Sequence, residues 1–376
     1  MFPREPCFRC RYAFPFVLSV RFPHNFCIAT RQTIRRTAKA KSSASIHPRT
    51  DARLGKIIRL LTDHATVVVS GTKLADEIGT TRSEIWRLVQ QLRELGVEIA
   101  GHPATGYQLK AIPEILLPDM LASSLQGTIF GNSKAIHHFY KIGSTNTEAM
   151  EAASQGAPEG SVFLAEQQTA GRGRGAHDWH SAQSVGIYCS VILRPALPPA
   201  DVLVLSLAAG LAVQAAVREV GDRVAADLKW PNDLLIGNKK FCGILTEMNA
   251  EVTRVRYIVV GIGINVNQRS FPSDLQDTAT SLRIVTGTEW SRLELCIALL
   301  KSLDREYRAL TQNSNAHQDI LQRFEKNSSY VRGRAVRIEE NGGFEGITEG
   351  LDPRGFLKVR TREGLRTVLS GTVRAI

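Results

Sequence analysis

The chain has 376 residues, 43% of them hydrophobic and 22% charged, with a net charge of +11. That is ordinary soluble composition with room for two or three domains, and no uninterrupted run of 18 or more apolar residues predicts a membrane-spanning helix. The charge is uneven: residues 1–50 hold ten Lys/Arg against one acid and the remainder 37 against 35, so the body offers no electrostatic case for bulk nucleic-acid binding.

Residues 1–50 are basic, Ser-bearing and acid-poor, as a transit peptide is. Pro3, Pro6, Pro15 and Pro23 oppose a long amphipathic helix there, and a disordered extension is the preferred expectation. Cys7 and Cys10 form a CxxC pair with no second Cys/His pair at finger spacing, so no metal-ligating set is expected. The other cysteines (Cys27, Cys189, Cys242, Cys296) are scattered, which fits a reducing compartment and a cytoplasmic protein.

Residues 51–112 read as a compact unit. Leu54, Ile57, Ile58 and Leu61 have helical spacing; Thr72–Ile78 is a second helix ended by Gly79. Thr80 or Thr81 caps a third, whose stripe is Ile85, Leu88, Val89 and Leu92, stopped by Gly96. Two short strands follow, Val97–Ile99 and Tyr107–Leu109, around a turn with His102, Pro103 and Gly106. This is the plan of a winged helix-turn-helix, whose third helix enters the major groove. Arg82, Ser83, Trp86, Arg87 and Gln90 are its outward candidates for DNA contact. A small helical protein-interaction domain is the alternative.

Residues 113–330 change to a pattern of strands and helices. Residues up to 125 read as a linker with a short helix. Strands are expected over His138–Lys141, Val162–Ala165, Ile187–Leu193 and Tyr257–Ile264, with helices over Thr147–Gln155, Val202–Val220, Leu293–Leu310 and Ile320–Lys326. Asp227–Trp230 ends a strand at the Pro231-Asn232-Asp233 turn, and Leu234–Ile236 pairs with Phe241–Met248 across Gly237–Lys240. The result is an α+β plan: a mixed sheet with helices on one side. Residues 331–376 alternate four short strands with Gly-bearing turns, a small β-barrel.

The chemistry centres on Ala165–Ser181, AEQQTAGRGRGAHDWHS, where three glycines interleave with Arg172 and Arg174. Glycine lets a ligand approach backbone N–H groups, and arginine presents a fork of donors to phosphate or carboxylate. Such a loop can wrap an anion, although without Gly-Lys-Ser/Thr it is not a Walker loop. His177 and His180 have no nucleophile elbow beside them and read as loop residues. Trp179 reads as packing beneath the loop.

Five features stand in order: Ser144-Thr145-Asn146, Gln168–Arg174, Lys229-Trp230-Pro231-Asn232-Asp233, Gly243-Ile244-Leu245 with Glu247, and Gly261–Val266. Together they resemble the biotin–protein ligases, over about residues 54–376, and the leading winged helix resembles that of the bifunctional members that also repress the biotin operon. The resemblance implies a class II synthetase-like central domain and a C-terminal SH3-like domain. It implies ATP, with Mg2+, and biotin as substrates, biotinyl-5′-AMP as intermediate, and a lysine of a carboxyl carrier domain (typically of acetyl-CoA carboxylase) as acceptor. It also implies a homodimer when the adenylate is bound and an operator-DNA partner; no membrane partner is expected, from the lack of a long apolar run. By the family pattern, Ser144, Thr145, Asn146 and Gln168 bind biotin, and Arg172, Gly173 and Arg174 fold over biotin and the adenylate. Lys229 contacts the carboxyl and phosphate oxygens, so Lys229, Arg172 and Arg174 form the catalytic set. Asn232 and Asn265 lie at the nucleotide side. Residue by residue, Lys229 also reads as a surface lysine, Ser144–Asn146 as a helix cap and Asn265 as a turn residue. Where many members have a longer basic loop, this chain has Gly175-Ala176-His177-Asp178, which removes positive charge and adds an acid. Alternative readings are a biotin-sensing DNA-binding repressor without ligase activity, a ligase that no longer represses, and a lipoate ligase of similar fold.

Overall fold

The computed structural model describes residues 48–376, apart from 65, 95, 103–104, 112–113, 222–223 and 340–342. The extension expected over 1–50 therefore lies, up to residue 47, outside the described residues, as does the CxxC pair.

The N-terminal unit contains α1 (Pro48–Asp63), α2 (Gly71–Ile78), α3 (Arg82–Glu94), β1 (Glu98–His102) and β2 (Gly106–Ala111). Ser70 caps α2 by accepting from the Lys73 amide, and Gly79 ends it in the left-handed region at φ 72°. Thr81 Oγ1 accepts from the Glu84 amide at 3.2 Å, so the third helix is capped by Thr81 rather than Thr80. Ile85, Leu88, Val89 and Leu92 are all fully buried against α1 and α2. β1 and β2 pair antiparallel as the wing. This core continues into the next unit through Ile115 and Tyr140.

The central unit runs through α4 (Pro118–Ser124), β3 (Ile136–Phe139), α5 (Thr145–Ser154), β4 (Val162–Ala165), β5 (Gly186–Leu193), α6 (Leu203–Val220), β6 (Ala226–Lys229), β7 (Asp233–Ile236), β8 (Lys239–Ala250), β9 (Val255–Asn265), α7 (Leu282–Thr286), α8 (Arg292–Gln312) and α9 (Ala316–Lys326). Its seven strands lie in the order β3-β4-β5-β9-β8-β7-β6. Only β3 and β4 pair in parallel, so the sheet is mixed, as expected.

The layering differs from the expectation of helices on one side. Along β9, Ile258, Val260, Ile262 and Ile264 face the large core with α6, α8 and α9. Tyr257 and Val259 face the other way, into a smaller cluster with Ala149 and Ala153 of α5. The two-residue side-chain period of a strand requires this division, and apolar residues on both faces demand a cover on both. The Ala-rich α5 gives too weak a stripe to announce its face.

α6 is buried almost all round, between the sheet and α8. The stretch Pro199–Val220 is long and apolar enough to cross a membrane by length and composition alone. The fold explains its composition: 78% of its most apolar 18-residue window is buried inside the protein.

The C-terminal unit contains β10 (Arg332–Glu339), β11 (Phe344–Leu351), β12 (Leu357–Thr361), β13 (Gly364–Val368) and β14 (Thr372–Ala375). They form one antiparallel sheet in the order β13-β12-β11-β10-β14. The sequence reading found four of these strands and missed β14. Trp230 joins this unit to the central one, its indole N–H donating to Gly355 O at 2.9 Å.

Candidate active site

The site is built on the α5 face of the sheet, where three glycines stand in one patch. Gly243 of β8 pairs with Gly263 of β9, and Leu245 with Gly261. These residues share the face opposite Ile244 and Ile262, so the patch is a floor of bare backbone. Something occupies the space each glycine leaves. A Cβ on Gly263 would lie 2.5 Å from the Trp179 ring, one on Gly243 2.9 Å from the same ring, and one on Gly261 1.9 Å from Asn146 Oδ1. Trp179 thus packs beneath the loop on two glycines, as the sequence suggested.

The start of α5 supplies one wall. The helix begins at Thr145, not Thr147, and Ser144 stands at its cap position without making a side-chain capping bond. The Thr145 amide donates instead to Gln168 Oε1 at 2.8 Å, and the Thr145 hydroxyl to the same atom at 3.1 Å. Gln168 Nε2 donates to Ser181 Oγ at 2.8 Å. Asn146 Nδ2 donates to Leu245 O at 3.2 Å and Glu247 Oε2 at 3.0 Å. Ser190 Oγ lies 2.8 Å from Thr145 Oγ1 and 2.6 Å from Asn146 Oδ1. A continuous polar network therefore links α5, the glycine loop, β5 and β8.

The loop folds back on itself. The Trp179 amide donates to Gly171 O at 2.9 Å and the Gly173 amide to His177 O at 2.6 Å, with Gly175 at φ 68° between them. Arg172 reaches across the cleft, Nη2 donating to Glu247 Oε2 at 2.6 Å. Arg174 Nη1 donates to Gly371 O of the C-terminal unit at 3.0 Å. Asp178 is paired with Arg172 through the backbone, whereas the Arg172 guanidinium is on Glu247.

At the head of this loop stands a buried acid. Glu166 is 1% exposed. Its Oε2 accepts from Arg292 Nη1 at 2.8 Å, and its Oε1 accepts from the Leu116 amide at 3.0 Å and lies 3.1 Å from His138 Nε2. Burial alone would raise this carboxyl, but Arg292, His138 and the Leu116 amide outweigh it and hold it at about 2. Arg292 also binds Glu114 O and Gly186 O, and Glu114 accepts from Ser291 Oγ and the Leu293 amide at the start of α8. Linker, loop and α8 meet at one buried ion pair.

The cleft brings together Ser144, Thr145, Asn146, Gln168, Arg172, Gly173, Arg174 and Asn232. Asn232 also clips its hairpin, Nδ2 donating to Ile244 O at 2.9 Å while its own carbonyl accepts from the Ile244 amide at 2.8 Å. Two expected residues do not line it. Lys229 ends β6 with Nζ 5.5 Å above the Tyr330 ring, and burial lowers its ammonium below the usual lysine range, opposed by Asp233. Asn265 is buried, its Nδ2 donating to Thr280 O at 3.1 Å and its Oδ1 accepting from Gln268 at 3.2 Å. The structure adds Tyr188, Lys240 and Gly263 to the lining. The small residues alternating along GIL and GIG were the one signal of that floor in the sequence. Among the described residues no group of three or more His, Cys, Asp or Glu could hold a metal ion.

On α3, Arg82, Ser83, Trp86 and Arg87 are exposed, with Trp86 at 59%. Gln90 is half-buried and accepts from Arg93 at 3.4 Å. Arg87 pairs with Glu84 at 2.6 Å.

Residues 138–265 match the biotin/lipoate A/B protein ligase family, residues 53–108 a helix-turn-helix domain, and residues 332–374 the biotin protein ligase C-terminal domain. The bifunctional ligase/repressor BirA of Bacillus spizizenii is 36% identical over 324 residues, 84% of this chain and 97% of that protein. The biotin–[acetyl-CoA-carboxylase] ligase of Mycobacterium tuberculosis is 35% identical over 58% of this chain and 80% of its own length. Among solved structures, the Aquifex aeolicus biotin protein ligase in complex with biotin and ATP superimposes with a TM-score of 0.56 at 30% identity, over 64% of this chain and 99% of that one. The chain belongs to the biotin protein ligase family, in the three-domain arrangement of the bifunctional ligase/repressors.

Proposed function

We propose that this protein activates biotin with MgATP and passes it to a lysine of a biotin carboxyl carrier domain, and that its winged helix represses a biotin-responsive operator. The observation that carries the ligase reading is the joined cleft: the Thr145–Gln168–Asn146 network lies directly beside a closed loop bearing Arg172 and Arg174.

In the first step a biotin carboxylate oxygen attacks the α-phosphorus of ATP. The bond to the β-phosphate oxygen breaks, and pyrophosphate leaves with that electron pair. In the second step a carrier lysine amine attacks the acyl carbon, AMP leaves, and the amine gives up a proton. Both reactants of the first step are anions, so positive groups must offset their repulsion. Arg172, Arg174 and Lys229 take that role, and holding the reactants together removes much of the entropic barrier. Ser144, Thr145, Asn146 and Gln168 match a polar, uncharged ligand end. Asn232 and Asn265 support the nucleotide side by fixing the β7–β8 hairpin and the 265–280 loop. Closure of the loop keeps water from the anhydride. Magnesium enters with the ATP phosphates as part of the substrate. The exposed α3 residues Arg82, Ser83, Trp86 and Arg87, with Gln90 behind them, face operator DNA, and dimerisation of the adenylate-loaded form matches a two-fold operator. Such a protein works in the cytoplasm, where carrier domains and DNA are both present.

The test is incubation with MgATP and either biotin or lipoate, following pyrophosphate release and carrier labelling. Biotin-only release followed by labelling is expected. Turnover with lipoate alone, or biotin binding without pyrophosphate, refutes the ligase reading. Lys229→Ala lowers adenylate formation by about 100-fold or more, the scale for one charge-stabilising donor; unchanged pyrophosphate release removes Lys229 from the catalytic set.

A further inference from the structure

We propose that Lys240 is a second catalytic lysine of this site, one that contacts the phosphate chain of ATP during adenylation. The inference rests on the ligase reading above and deepens it.

The cleft must hold two anions at once, and the arrangement of its cations is uneven. Arg172 is committed to Glu247, Arg174 reaches Gly371 O, and Lys229 stands over Tyr330 outside the lining. Lys240 is the lysine that lines the cleft. Its backbone is fixed on the far side of the strand: its amide donates to Thr278 O at 2.8 Å, and its carbonyl accepts from the Thr280 amide at 2.9 Å. Its side chain then runs over the bare backbone of Gly243, where an added Cβ would stand 3.0 Å from Lys240 Cε and Nζ. The ammonium lies 5.3 Å from the centre of the Trp179 ring, the same ring that covers the glycine floor. A flexible side chain is thus held at its root and along its stem, with its charged end delivered to the loop.

That end has a carboxylate partner. Lys240 Nζ is 2.6 Å from Asp233 Oδ1, with both side chains partly exposed. That oxygen makes no aligned hydrogen bond, so the pair has ion-pair distance without hydrogen-bond geometry. The lysine side chain remains about a third exposed, so an anion entering the cleft can reach its ammonium. Phosphate oxygens, carrying more charge, compete well for an ammonium so placed. Asp233 is also the cross-strand neighbour of Lys229, whose ammonium feels its charge. Pairing Lys240 with Asp233 keeps the cleft from carrying surplus positive charge, and exchange onto ATP turns that charge toward the leaving pyrophosphate, where negative charge grows as the bond to the α-phosphorus breaks.

The experiment uses the full chain with Lys240→Gln and Lys240→Arg. Three quantities are read: biotin-dependent pyrophosphate exchange, transfer from supplied biotinyl-5′-AMP to a carrier domain, and biotin affinity by titration. Lys240→Gln is expected to lower exchange about 100-fold, with a raised KM for ATP, while the losses in transfer and biotin affinity stay within about threefold. Lys240→Arg restores about a tenth or more of the exchange, since the positive charge is kept. Unchanged exchange in Lys240→Gln overturns the proposal. So does an equal fall in exchange, transfer and biotin affinity, which marks a lysine that only supports Trp179 and the loop. Absence of biotin-dependent exchange in the unaltered protein refutes the ligase reading itself, a distinct outcome.

Discussion

Gly261→Ala tests the floor of the site at its tightest point. The new methyl carbon would stand 1.9 Å from Asn146 Oδ1 and 2.7 Å from Asn146 Cγ. No contact that short survives, and the surrounding strand is backbone in a sheet, so Asn146 must turn away. Asn146 is only 4% exposed and has three partners: Leu245 O, Glu247 Oε2 and Ser190 Oγ. A net hydrogen bond is worth about 1 kcal/mol, so losing them costs about 3 kcal/mol if nothing replaces them. Part of that loss falls on fold stability and part on ligand binding. Placing about half, about 1.5 kcal/mol, on binding predicts a biotin affinity lower by roughly 10-fold. Titration calorimetry with biotin reads the first quantity and urea unfolding the second. Gly143→Ala is the control, because a Cβ there meets nothing within 4 Å. A double-mutant cycle with Asn146→Ala isolates the cause. If Gly261→Ala weakens biotin just as much in an Asn146→Ala background, the effect does not pass through Asn146 and the reasoning is wrong.

Other outcomes follow from the same geometry. Arg174→Gly removes the bond to Gly371 O and is expected to raise the release of free biotinyl-AMP several-fold; release at the unaltered rate, measured by trapping with a nonspecific amine, would falsify the lid account. Glu166→Gln breaks a buried pair and is expected to cost about 3 kcal/mol or more at neutral pH. Because the folded carboxyl is held at about 2, below its ordinary 4.5, its contribution is complete above pH 4.5 and is lost as pH falls toward 2. The stability gap between the two proteins must therefore narrow over that window, and a constant gap in denaturation midpoints would exclude the ionised pair. Arg87→Ala is expected to weaken operator binding about 10-fold while ligation is unchanged, read by electrophoretic shift beside carrier labelling.

Much of this architecture was legible from periodicity. Leu54 to Leu92 in the winged helix and the apolar strands β4, β5 and β9 announced themselves, because burial repeats at 3.6 or 2 residues. The short elements did not. α7 has five residues and β14 four, with β14 mostly exposed, so neither carries a pattern long enough to read. Ser144, Thr145, Asn146, Gln168 and the loop arginines do converge in the cleft. Lys229 and Asn265 illustrate the limit: their positions in the chain were plain, but their side-chain directions depend on Tyr330, Thr280 and Gln268. The Glu166–Arg292 pair spans 126 residues, and nothing local in either segment marks the other as its partner.

The bond from Arg174 to Gly371 joins residues 197 apart in sequence. Gly371 sits at φ 117°, a conformation that side chains rarely adopt. Any substitution there strains the β13–β14 turn and shifts the carbonyl that Arg174 grips. In a saturation screen, position 371 would cluster by phenotype with the glycine loop rather than with its own sheet. Leaky intermediates, not misfolding, would be the signature of such alleles, and suppressors would arise far from the altered codon.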